Sequence, residues 1–126
     1  MTGDVRHFSD LKVWQKSHIL FLDFMKDIET LNNSVTSREI IKQLVRSIGS
    51  IGANIAEGFN SRTTKEYIRY LDIAKRTTAE SENWFYKLRD SVLLKKTIAD
   101  DRINNCVEIS KMLQGLMNAL SVKSRS

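Results

Sequence analysis

The side chains able to do chemistry in this sequence are few, and their spacing limits what they could do together. Two imidazoles (His7 and His18), one thiol (Cys106) and a carboxylate pair four residues apart (Asp23 and Asp27) are the candidates for acid–base, nucleophilic or metal work. An imidazole acts as general base only where a nucleophile stands within hydrogen-bond reach. Neither histidine has an evident one: His7 falls in an N-terminal arm expected to be mobile, and His18 lies on or beside the apolar face of a helix. Cys106, on an amphipathic stretch, reads as a small buried hydrophobe. Without a second cysteine or a nearby histidine it completes neither a disulfide nor a zinc cluster, which suits a reducing cytoplasm. Asp23 and Asp27 can share a helical face, but two carboxylates without further ligands hold a cation weakly, so a solvated face is the expectation. Gly49-x-x-Gly52 lacks the preceding strand and the Lys-Ser/Thr signature of a phosphate loop. The residues therefore argue against an enzyme, and no metal or cofactor is expected.

Cations offer more. Lys42 and Arg46 are one helical turn apart, and Arg62, Lys65, Arg69 and Arg76 can share one side of a later helix and its approach, with Glu66 and Asp72 interrupting. The chain carries 20 Lys and Arg against 15 Asp and Glu, a formal charge of +5, and its isoelectric point is near 9.5. Such an excess permits an anionic partner without demanding one. The six cations are the candidate contacts to RNA or DNA. Binding through phosphates would be salt-dependent and indifferent to base sequence. Tyr67 and Tyr70 lie among these charges and could stack on bases, although packing accounts for them equally well. In one chain the same residues also read as an ordinary mixed, solvated face.

The elements that must position these groups are helices. There is no proline, and only 5 glycines are spread over 126 residues, so little interrupts a helical period. Leu11, Trp14, His18, Phe21, Leu22, Met25 and Ile28 recur at three- and four-residue steps. Ser9 is the expected N-cap of that first helix. Thr36 with Glu39, and Thr63 with Glu66, have capping-box spacing. Thr97, with Asp100 and Asp101 following, can open a fourth helix. The spacing predicts helices over about 10–31, 37–58, 64–93 and 98–120, with short mobile termini, in one domain spanning residues 1–126. Short connections make neighbours antiparallel, so the expected fold is an all-α, up-down-up-down four-helix bundle. No apolar run approaches the ~20 residues a membrane span needs and no signal peptide is evident, so a soluble, cytoplasmic protein without a membrane partner is expected.

Two features exceed what a lone bundle requires. Val13, Leu20 and Phe24 form a seam offset from the Leu11, Trp14, Phe21 and Met25 line, and Trp84, Phe85 and Tyr86 are consecutive, so they cannot all face one core. Either the core stripe is wide or the surplus forms a subunit interface. The stretch from Ile48 to Gly58 holds Gly49 and Gly52 inside an otherwise good helix, each costing about 0.5 to 1 kcal/mol relative to alanine. Close helix approach would offset that, within the bundle or between subunits. Asn54 and Glu57 flank the strip, and one or both are expected to be partly buried and hydrogen-bonded.

The same segments carry a resemblance. Phe8-Ser9-Asp10-Leu11-Lys12-Val13-Trp14-Gln15-Lys16, the run from Gln43 to Phe59 and the run from Glu66 to Ala74 resemble motifs of the four-helix-bundle proteins encoded by intervening sequences in bacterial 23S ribosomal RNA genes. A weaker likeness from Ile109 to Leu116 extends it over about residues 8–120. The resemblance implies an antiparallel bundle and a ring-like homopentamer, without an established activity. Wider relatives are accessory proteins of diversity-generating retroelements, which implies a reverse transcriptase as a possible protein partner. A pentamer would multiply the +5 of one chain fivefold into a focused field. Two readings follow: a non-enzymatic oligomer that binds nucleic acid non-specifically, or a scaffold that recruits a protein and touches no nucleic acid itself.

Overall fold

The computed structural model describes residues 4–125. A 3-10 turn, Phe8–Asp10, leads into four helices: α1 (Lys12–Ile28), α2 (Val35–Phe59), α3 (Thr64–Asp90) and α4 (Lys96–Arg125). Each helix packs on its sequence neighbours, α1 also meets α4, and among the described residues the diagonal helices meet only through side chains that reach into the core, their backbones staying apart. This is the antiparallel four-helix bundle, closed as a square. Residues 1–3 and 126, where part of the expected mobile termini falls, lie outside the described residues. The last helix runs past its expected end near residue 120: α4 continues to Arg125.

The starts of the helices follow local hydrogen bonding. Thr63 caps α3, its hydroxyl accepting from the Glu66 amide at 3.1 Å. For α2 the cap is Ser34, not Thr36, and the helix starts two residues early. The Ser34 hydroxyl accepts from the Ser37 amide at 3.1 Å. Asn32 Oδ1 accepts from both the Ser34 amide (3.0 Å) and the Ser37 hydroxyl (2.7 Å), which fixes the turn. Ser9 does not cap α1. The 3-10 turn before it is capped by His7, whose Nδ1 accepts from the Ser9 amide at 3.2 Å. Asp10 reaches back to the Arg6 and His7 amides, and these bonds hold its carboxyl below the usual carboxylate value. Leu11 stays extended, so α1 begins at Lys12. Likewise Thr97 is one residue inside α4.

The core is a continuous column of side chains that includes Phe24, Leu44, Ile51, Ile55, Leu71, Phe85, Leu88, Ile109 and Leu113, all excluded from solvent. Phe24 of α1 meets Phe85 of α3 edge-to-face, with ring centroids 5.6 Å apart. Between α2 and α3 the helices come close enough that only small groups fit. The buried Ser81 hydroxyl donates to Ser47 Oγ at 2.9 Å. A Cβ on Gly58 would lie 2.9 Å from Tyr70 Cβ and 3.0 Å from Tyr67 Cδ1, so no side chain fits there.

Both apolar lines of α1 pack on the protomer's core, which is the wide-stripe alternative of the sequence reading. Val13, Leu20 and Phe24, read as the surplus seam, are buried inside the protomer together with Ser17 and Asp27. Leu11, Trp14, Phe21 and Met25 are the half-exposed line. Ser17 and Asp27 interrupt the more deeply buried line with polar side chains, which is why apolar periodicity selected its neighbour. Asp27 is not on a solvated face: Arg102 of α4 grips it with Nε to Oδ2 at 2.7 Å and Nη2 to Oδ1 at 3.0 Å. Asp23 lies 3.7 Å from the same guanidinium. A charge buried in this way is tolerated only with such a bidentate partner. Lys16 and Glu108 form a second ion pair across α1 and α4 at 2.6 Å. The α1–α4 seam is nonetheless the thinnest of the four.

Helix α3 ends at Asp90, three residues before the expected stop at Leu93. Val92 takes the left-handed conformation, with φ 62°. Its amide donates to the Arg89 carbonyl and the Leu93 amide donates to the Leu88 carbonyl, each at 3.1 Å. This is the Schellman arrangement, with valine where glycine is usual.

Candidate nucleic-acid interface

Helix α2 turns one exposed stripe to solvent, and that stripe changes character along its length. Arg38, Lys42 and Arg46 come first, one turn apart and all exposed. None of the three forms an ion pair among the described residues. Gly49 and Ala53, also exposed, continue the stripe with almost no side chain. Where α2 narrows to these small residues, Trp14, His18 and Phe21 of α1 flank a groove of about 250 Å3 floored by Gly49, Gly52 and Ala53. The Trp14 and His18 rings are stacked, with centroids 4.8 Å apart and planes 13° from parallel. The glycines set the shape: a Cβ on Gly49 would sit 3.6 Å from Phe21 Cε2, and one on Gly52 would sit 3.3 Å from Trp14 Nε1.

The other four cations lie on α3 and the turn before it. The Ser47–Ser81 contact fixes the antiparallel register of α2 and α3. At ~1.5 Å per residue, Arg46 is then roughly 20 Å along the bundle from the α2–α3 turn that carries Arg62 and Lys65. Arg62 borders a shallow concavity of about 610 Å3 with Glu57, Glu66 and Tyr70. Arg69 lies over the Tyr70 ring, 4.5 Å from its centroid. Arg76 is paired to Asp72 at 3.1 Å. Lys65 is exposed and forms no ion pair among the described residues. Of the six expected contacts, Arg62 and Lys65 at the turn are thus set apart from Lys42 and Arg46, and acidic neighbours offset Arg62 and Arg76. Tyr67 is turned inward, packed edge-on against Phe59, and burial pushes its hydroxyl above the usual tyrosine value.

The remaining sequence candidates differ in burial and partners. Asn54 is half-buried, and its Nδ2 donates to the Ser50 carbonyl at 2.8 Å and the Ser50 hydroxyl at 2.9 Å. Glu57 is exposed. Phe85 is buried, Trp84 half-buried and Tyr86 exposed, as three consecutive helical residues must diverge. Trp84 Nε1 is buried without a hydrogen-bond partner. Cys106 is buried, and desolvation, with a smaller contribution from Glu82, pushes its thiol to about 12. His18 is exposed and packs on Trp14. Among the described residues, no group of three His, Cys, Asp or Glu could hold a metal ion, and no helix is long and apolar enough to cross a membrane.

The groove residues were legible as apolar but not as exposed. Their signal was the coincidence of two helical glycines with an aromatic-rich partner helix: glycine removes the side chains that would otherwise cover the rings.

The fold and sequence agree with known proteins. A solved structure from Bacteroides thetaiotaomicron, described as a protein of unknown function from the S23 ribosomal protein family, is 28% identical and superposes with a TM-score of 0.77, covering 83% of this chain and 97% of that one. No curated protein matches the chain. The family model described as 23S rRNA-intervening sequence protein matches residues 9–115, from the turn before α1 to well inside α4. The chain therefore belongs to the 23S rRNA-intervening sequence protein family.

Proposed function

We propose that this protein is a non-enzymatic, self-associating, cytoplasmic four-helix bundle that binds RNA or DNA through the phosphate backbone. The observation that carries the reading is the row Arg38, Lys42 and Arg46: three exposed cations on one helical face, none neutralised by an ion pair within the chain. Such groups replace condensed counterions on a polyanion, so affinity falls steeply with salt and is nearly blind to sequence. Self-association repeats the row around an axis and focuses its field. The homopentamer implied by resemblance is the assembly proposed.

The expected outcome is micromolar binding of labelled RNA and DNA at about 50 mM salt, with a steep salt dependence that flattens when Lys42→Glu is combined with Arg46→Glu. Fluorescence anisotropy checks this. Absence of binding at that salt, or affinity untouched by the double substitution, overturns the reading.

A second reading is favoured by exposed apolar surface on α1, part of which borders α4. Ile19 and Leu22 are 55% and 47% exposed on α1, which suits a scaffold for a protein partner such as a reverse transcriptase. A partner captured by a variant that has lost nucleic-acid binding would support it.

A further inference from the structure

We infer that the α1–α2 groove receives an unpaired base of a single-stranded nucleic acid, which extends the Trp14–His18 ring stack while Arg46 and Lys42 hold the adjoining phosphates. The inference rests on the phosphate-binding reading above and names the substrate class of that same surface.

Three observations converge on it. The groove is lined on one side by aromatic rings, two of them already parallel and stacked, and a nucleobase face adds to such a platform whatever its identity. At about 250 Å3 it is smaller than the usual ligand pocket, a size for one flat ring. Gly49 opens the groove to solvent at the point where the cationic row ends, with Arg46 about one turn away and Lys42 about one turn beyond it. A base seated on the glycine floor thus has positive charge along the path of its own backbone.

The same geometry disfavours a duplex. A paired base has both faces covered and must be unstacked and extruded before it can enter a groove between helices. Charge alone would favour the duplex, whose phosphates are denser. Tighter binding of a single strand therefore reports the groove and not the field.

The test compares fluorescein-labelled oligo(dT) and oligo(rU) of about 15 nucleotides with a mixed-sequence duplex of equal length, at about 50 mM salt, by anisotropy. The single strands should bind at least about 5-fold tighter, and Trp14→Ala should weaken them by roughly 5- to 100-fold while leaving the salt slope unchanged. Because Trp14 also packs in the bundle, Gly49→Leu is the second variant. It replaces an exposed helical glycine by a good helix former and fills the groove. It should abolish the single-strand preference without lowering the melting temperature. Equal binding of duplex and single strand, unaffected by either variant, overturns the inference and leaves the phosphate-binding reading standing. No binding of any probe overturns both. A change of oligomeric state in Gly49→Leu, seen by light scattering, also overturns it, because the groove would then be covered by a second copy of the chain.

Discussion

Cys106 shows how completely position can silence a reactive side chain. Its thiol is buried in α4 and pushed to about 12, against an ordinary value of 9.0. Below pH 9 the thiol is protonated in both folded and unfolded chains and the shift has no effect. Between pH 9 and about 12 the unfolded chain releases this proton while the folded one holds it, so stability is lost as pH rises. The loss from this group alone is about 1.4 kcal/mol per pH unit. Urea titrations between pH 9 and 11 should therefore show a steeper alkaline decline for the natural protein than for Cys106→Ala; parallel declines would mean that the thiol ionises equally well in both states. The cysteine's burial was readable from its place on an amphipathic stretch. Asp27 was not readable in that way, because its partner Arg102 is 75 residues distant in sequence and no local pattern points from one to the other.

At the scale of the element, the end of α3 holds a local conflict. Val92 sits in the left-handed region at the position that closes the helix, 84% exposed and with no compensating burial. A β-branched residue there is strained by roughly 1 to 2 kcal/mol. Val92→Gly should accordingly raise stability by about 1 kcal/mol and the melting temperature by about 3 °C, measured by circular dichroism. An unchanged or lower value would show that the turn is held by something other than this backbone conformation. The absence of a glycine signal is also why the helix end was placed late in the sequence. Elsewhere helix limits were readable where the cap is made by the residue itself, as at Thr63. They were displaced where a neighbour competes, as with Ser34 backed by Asn32, or Ser9 engaged by His7. The small-residue strip of α2 was legible as a site of close approach. Which approach each glycine serves was not: Gly58 admits α3, whereas Gly49 and Gly52 leave a groove beside α1. That distinction depends on the partner helix and not on α2.

For the molecule as a whole, the four-helix architecture followed from long helical periods and short connections, and α1 brings both of its apolar lines to the core. The bundle is not equally knit. Helices α2, α3 and α4 share the broad seams, and α1 closes against α4 along a thin one held by Arg102–Asp27 and Lys16–Glu108. Local opening follows the least buried seam. Backbone amides of α1 should therefore trade hydrogen for deuterium as a group, ahead of those of the other three helices, in mass spectrometry of proteolytic fragments; uniform uptake across all four would make α1 part of one cooperative unit. Because Trp14, His18 and Phe21 ride on this loosest helix, whatever settles among those rings will also slow isotope uptake along α1, so that the protein's least protected segment doubles as its reporter of occupancy.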